Sequence, residues 1–290
     1  MTYQFGAEAT PIPIDEVEST LAYQRARAGY FGGIALKNFG AMRTQVDNDQ
    51  FGTVIAHVDG DPNNVMNIKA KPAVQHCLVQ GARAEVIGNM LGLQPDEIAE
   101  LQEAAVLHDS FKAHEVKIMK EKGPSWDSYD EAQAEARKSW ERTGRHSTRV
   151  MDIAGSVAHE SIHDMEAILA KPDEDLTAFD KARLAMHYLD DYTVEYYWAE
   201  PTDAEGNDLD RRMTKNENNE RYKALNETGR QHFNGETAYQ AQRRSGHQVE
   251  DRLATLITAN TGVELNPLDL PVIIDNQIKQ EILAEMPAAA

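Results

Sequence analysis

From Pro72 onward the apolar residues recur at intervals of three and four. Val74, Leu78, Ala82, Val86 and Met90 fall one helical turn apart and Gly92 follows as a stop, so the spacing predicts an amphipathic helix of about 18 residues. Pro95-Asp96 opens a second helix, which runs through Ile98, Leu101 and Ala105 toward His108. Gly123-Pro124 breaks the chain, and Ser128 to Glu141 reads as a polar helix with an Ala132, Ala136, Trp140 seam, ended by Gly144. His146, Val150, Ile153 and Val157 share one face of the next helix. Thr177 starts a long helix through Phe179, Ala182, Met186, Leu189, Thr193 and Tyr196, and Glu236 to Ile257 returns to helical spacing. Period-two alternation is nearly absent and no long repeat occurs, so the expected fold is all-α, a helical bundle.

The flanks read differently. Residues 1–71 form an irregular N-terminal extension: Pro11 and Pro13 mark an extended lead-in, and Glu16 to about Arg43 has helical composition broken by Gly29, Gly32, Gly33 and Gly40. Those glycines match neither a dinucleotide fingerprint nor a Walker loop. Residues 44–71 are rich in turn formers, with Thr53 to Ala56 as one isolated strand. Residues 72–257 are the helical domain. Within it, residues 200–220 read as a polar surface loop, whose acidic run lacks the EF-hand glycine because Gly206 stands at the wrong offset from Asp203. Residues 258–290, with Pro267, Pro271 and an alanine tail, read as an extended, frayed end.

Composition narrows the partners. The chain of 290 residues carries a formal charge of −19, which opposes any phosphate backbone and makes a nucleic-acid polymer an unexpected partner. A small anion in a locally positive pocket is compatible with that charge, because site field and net charge are separate quantities. A single cysteine, Cys77, allows no intrachain disulfide and fits a reducing compartment. The amino terminus has no basic stretch followed by an apolar core, and no apolar run reaches the length of a membrane span, so a cytoplasmic protein without membrane contact is expected. Homo-oligomerisation is left open.

The candidate chemistry sits where the helical pattern meets ionisable residues. Leu101, Ala105 and His108 fall at i, i+4 and i+7, which places an imidazole on the buried face, and Asp109 follows it. Taken alone, such a pair reads as a hydrogen-bonded core histidine beside a helix-end carboxylate. The surroundings change the reading: His76 lies near the start of the preceding helix, His146, His159 and His163 follow two helices on, and Asp190 and Asp191 lie inside the long helix after them. A buried imidazole beside a carboxylate needs a partner, and a metal ion uses both. His57, His114, His187, His232 and His247 have no such company.

In this order, His76, His108 with Asp109, then Asp190, the chain resembles the HD-domain superfamily of metal-dependent phosphohydrolases over residues 72 to 257. VQHCLVQGARAEVIGNMLGL looks like the first metal helix of that family, AAVLHDSFK like its central AAxLHDxxK, and HYLDDYT like the helix that supplies the last carboxylate. The resemblance implies an HD-like bundle in which His76, His108, Asp109 and Asp190 hold a divalent metal, and in which Asp109 and Lys112 serve catalysis. Iron, manganese, nickel, cobalt or zinc suits such a mixed set of ligands. In many members a second ion shares the aspartate and takes two more histidines, for which His146 and His159 are the candidates here, with His163 and Asp191 as substitutes for His159 and Asp190.

The function this implies is hydrolysis of a small-molecule phosphate ester, a nucleotide or nucleotide-like substrate, by a metal-activated water. Three other readings stand beside it. A mixed-valence diiron oxygenase of the same fold would use His76, His108, Asp109, His146, His159 and Asp190. His159-Glu160-Ser161-Ile162-His163 also spells the H-E-x-x-H of zinc peptidases, in which both histidines bind zinc and the glutamate is general base. Last is a non-catalytic ligand-binding signalling module. Arg145, Arg149, Arg243 and Arg244 are candidate phosphate contacts, though a surface role suits each better.

Overall fold

A computed structural model describes residues 21–48, 51–53, 68–70, 72–192 and 209–286, and the fold is all-α. Two helices, α1 (Leu21–Lys37) and α2 (Phe39–Asp47), precede the regular repeat. They are not an accessory layer: Tyr23, Phe31 and Ile34 are buried in the same apolar core as the central helices. The glycines of this segment are tolerated within α1, where no neighbouring atom comes within 4 Å of a Cβ at Gly32 or Gly33. Between these helices and the repeat, Phe51–Thr53 pairs antiparallel with Ile68–Ala70. The strand expected at Thr53 to Ala56 thus begins earlier, and residues 54–56 lie outside the described residues.

The four-residue repeat forms α3 (Pro72–Met90), and α4 (Pro95–Leu107) packs along it. Pro95 opens α4 at a position whose amide would be unpartnered in any case, and a reciprocal Gln94–Glu97 box closes the first turn. Gly81 lets the helices approach: a Cβ there would stand 2.8 Å from Val106 Cγ2 and 3.0 Å from Ile34 Cγ2. After α4 come α5 (Lys112–Lys122) and α6 (Trp126–Thr143), the latter capped by Ser125 and ended by Gly144 in the left-handed conformation. The helix expected from His146 to Val157 is shorter. Ser147 caps α7 (Thr148–Ala154), two 3-10 turns follow, and α8 (Ile162–Leu169) starts anew.

Thr177 caps α9 (Ala178–Asp191), so this helix stops short of the expected end at Tyr196, and residues 193–196 lie outside the described residues. The polar segment expected to be a loop contains α10 (Leu209–Glu217), whose Leu209 and Met213 are buried. Next come α11 (Lys223–Gly229) and α12 (Ala238–Thr261), which packs on α9 and α8.

The carboxyl end departs most from expectation. Residues 258–286 do not form an extended tail, since α13 (Leu270–Ala284) packs on α3 and α1, and residues 287–290 lie outside the described residues. Pro271 was expected to break structure, but it sits in the first turn, where proline costs no hydrogen bond. Ile274, Ile278 and Ile282 then fall one turn apart and are fully buried. The buried Asp275 carboxylate accepts two bonds from Arg83 on α3, at 2.8 and 2.7 Å. No described helix is long and apolar enough to cross a membrane.

Candidate metal centre

Three helices bring four ionisable side chains to one point. His76 comes from the second turn of α3, His108 and Asp109 from the residues just after α4, and Asp190 from the end of α9. The two imidazole Nε2 atoms face each other at 3.1 Å. Asp190 Oδ1 lies 3.2 Å from His76 Nε2 and 3.5 Å from His108 Nε2, and Asp109 Oδ2 lies 3.9 Å from His108 Nε2. His76, His108 and Asp109 each offer a ligand atom within 4.8 Å of the others.

The separations among His76, His108 and Asp190 fit a metal, while Asp109 Oδ2, at 3.9 Å from His108, stands wider. With bonds of about 2.0–2.2 Å, neighbouring ligand atoms of a tetrahedral or octahedral ion stand roughly 3.0–3.4 Å apart. The His108 tautomer also fits, because its Nδ1–H donates to the Ala105 carbonyl at 2.8 Å and the lone pair of the neutral ring is left on Nε2. Burial lowers the pKa of His76, which favours the neutral, ligating ring. For His108 burial acts the same way, but the Cys77 sulfur, Asp109 and Asp190 outweigh it and hold the ring well above its usual value. A divalent cation can take the place of that proton.

The local chain path explains why adjacent residues both reach the site. The helix tightens after Leu107, where the Ser110 amide donates to the Leu107 carbonyl at 2.9 Å, and Trp140 Nε1 donates to the Ser110 hydroxyl at 2.8 Å. This braced turn lets His108 point inward while Asp109 keeps 24% of its side chain exposed. Lys112 begins the next helix with Nζ 3.9 Å from Asp109 and 3.0 Å from Glu115. Burial works against its charge, yet Glu115 and Asp109 hold its pKa well above the ordinary value, so it stays a cation. Glu115 received no role from the sequence; its i, i+3 spacing from Lys112 was the available signal.

The other candidates lie elsewhere. His146 does not join the group: its side chain is fully buried with Nδ1 2.7 Å from Glu103 and Nε2 2.8 Å from Thr44 on α2. His159 is buried among Trp126, Tyr129 and Tyr239, and its Nδ1 has no hydrogen-bond partner among the described residues. Burial and the nearby charge of Lys112 push its pKa down to about 3, so the ring is neutral. Asp191 is buried beside His187, with Oδ2 3.6 Å from its Nε2, and takes a bond from Gln242. It is therefore Asp190 that faces the histidines.

The H-E-x-x-H stretch does not form a zinc-binding turn. His159–Ser161 is a 3-10 turn and His163 opens outward, with Nε2 donating to the His232 carbonyl at 3.0 Å and Nδ1 3.1 Å from Glu166. Arg145, Arg149, Arg243 and Arg244 are each paired with carboxylates, those of Asp47, Glu100, Glu217 and Glu166 with Glu236. Comparisons with family models, curated proteins and solved structures found no match for the chain.

Proposed function

We propose that the protein is a metal-dependent hydrolase of a small-molecule phosphate ester, with a nucleotide or nucleotide-like substrate, on an HD-like bundle. The observation that carries this reading is the approach of His76, His108 and Asp190 to within 3.1–3.5 Å, with Asp109 3.9 Å from His108 and the cation of Lys112 beside that exposed carboxylate. A divalent ion held there would polarise a phosphoryl oxygen and lower the pKa of a bound water. The chain's own residues supply the rest. Lys112 reaches over Asp109 and is placed to hold a second phosphoryl oxygen, while Glu115 keeps it charged. Asp109, the most exposed of the four carboxylate and imidazole groups, is placed to accept the proton of the attacking water as the P–O ester bond breaks. Lys112 and the ion together supply the local positive field that a chain of charge −19 otherwise lacks.

The oxygenase reading requires six ligands, and the bonds from His146 to Glu103 and Thr44, with His159 held among aromatic rings, leave it two short. The peptidase reading requires His159 and His163 on one side of a turn, and they diverge.

The test is elemental analysis of the purified protein and its Asp109→Ala variant, followed by phosphate release from a panel of nucleotides and simpler phosphate monoesters and diesters. Expected are a divalent metal in the wild type, its loss with Asp109, and phosphate release only from the metal-loaded form. Full metal and full turnover in the variant would overturn the assignment.

A further inference from the structure

Two fully buried glutamines donate to the backbone beside the four ligands. Gln45, on α2, gives its Nε2–H to the Val106 carbonyl at 2.8 Å, two residues before His108. That carbonyl stands where the helix ladder stops, because the Ser110 amide has turned to Leu107. Gln80, on α3, gives its Nε2–H to the Leu189 carbonyl at 2.6 Å, one residue before Asp190. Gln80 follows His76 by one helical turn and so shares its face, which makes one helix carry a ligand and the tie to the next ligand. Leucine or methionine would fill either buried position with no polar group to satisfy.

We propose that Gln45 and Gln80 are positioning residues of the metal centre, and that the N-terminal helix α2 completes it. Gln45 sets the depth at which the chain leaves α4 and delivers His108 and Asp109. Gln80 sets the separation of α3 from the last turn of α9, and with it the 3.2 Å approach of His76 to Asp190. The other buried polar groups of this segment end elsewhere, Thr44 on His146, Asn38 on Gln102 and Asn48 on Ser139, so the N-terminal helices have contacts that serve packing alone. The proposal rests on the reading of the four side chains as a metal site.

The test compares Gln45→Met and Gln80→Met, which keep length and volume but lose the donor, with Thr44→Val, which removes the His146 bond of an equally buried side chain on the same helix as Gln45. Each full-length protein, freed of metal, is titrated with manganese and then zinc by calorimetry, and its metal-free melting temperature is recorded. Both methionine variants should bind metal roughly tenfold to a hundredfold more weakly. Thr44→Val should melt earlier and bind as the wild type does. Wild-type affinity in the methionine variants overturns the proposal, and so does an equal loss in Thr44→Val, which would mean general loosening. A wild type that takes up neither ion overturns the metal reading itself, a distinct result. If a methionine variant does not fold, asparagine at the same position keeps the amide but withdraws it by one methylene, and the same outcomes decide.

Discussion

His108–Asp109 and the stretch from His146 to His163 look alike as text, since each sets histidines beside carboxylates near a helix end, yet only the first gathers a site. At His108 one ring nitrogen is spent on the Ala105 carbonyl and the other faces His76 and Asp190. At His146 both nitrogens are spent, on Glu103 and Thr44. His159 has an unspent nitrogen but stands among aromatic rings, and His163 is turned to the surface. What separates a candidate ligand from a structural histidine here is the partner supplied to its second nitrogen by another helix.

The contrast can be broken most sharply at Asp109. Asp109→Ala should remove the metal and bring turnover below detection, as elemental analysis and phosphate release would read. His146→Ala should do the reverse, costing about 1–3 kcal/mol of stability in denaturant titration because a buried bonded group is lost, while the metal stays. A His146→Ala protein that folds normally and loses metal would erase the distinction.

His159 gives the comparison a pH dependence. Its folded pKa of about 3 lies below the ordinary 6.5, so between those values the unfolded chain binds a proton that the folded chain refuses. Stability should therefore fall as pH drops from 6.5 toward 3, by at most about 1.4 kcal/mol per unit. Glu160, pushed up to about 7 by burial, acts in the opposite sense between 4.5 and 7. Denaturant titrations of wild type and His159→Phe across this range share the Glu160 contribution, so their difference isolates the histidine. Equal slopes would show that His159 accepts its proton in the folded state. The smallest effect is expected at His163→Ala, within about 0.5 kcal/mol and without loss of metal, because the ring is exposed and its ion pair is solvated.

Most of the central helices were legible because burial on one face leaves a period in the text, and Val74 through Met90 is the clearest case. Composition misled at the ends. Pro271 looked like a breaker, but a proline in the first turn is neutral to the helix, and the apolar spacing behind it was the better guide. The glycines of α1 looked like interruptions, and they are absorbed because Tyr23, Phe31 and Ile34 anchor the helix from one side. The polar run around residue 210 hid a helix that buries Leu209 and Met213.

For the candidate site, His76, His108, Asp109 and Asp190 were nameable in advance, since their positions within successive helices follow from periodicity and order along the chain. Which further histidine joins them was not. A one-dimensional pattern records the face on which a residue sits but not which residue of a distant helix meets it there. Glu103 and Thr44 meet His146, Gln80 reaches Leu189, and Arg83 finds Asp275 across 192 residues of chain. Local spacing thus determined the helices and the order of the ionisable groups. Long-range packing alone decided which nitrogens and oxygens were left facing one another, because hydrogen-bond partners are assigned only once the helices have docked.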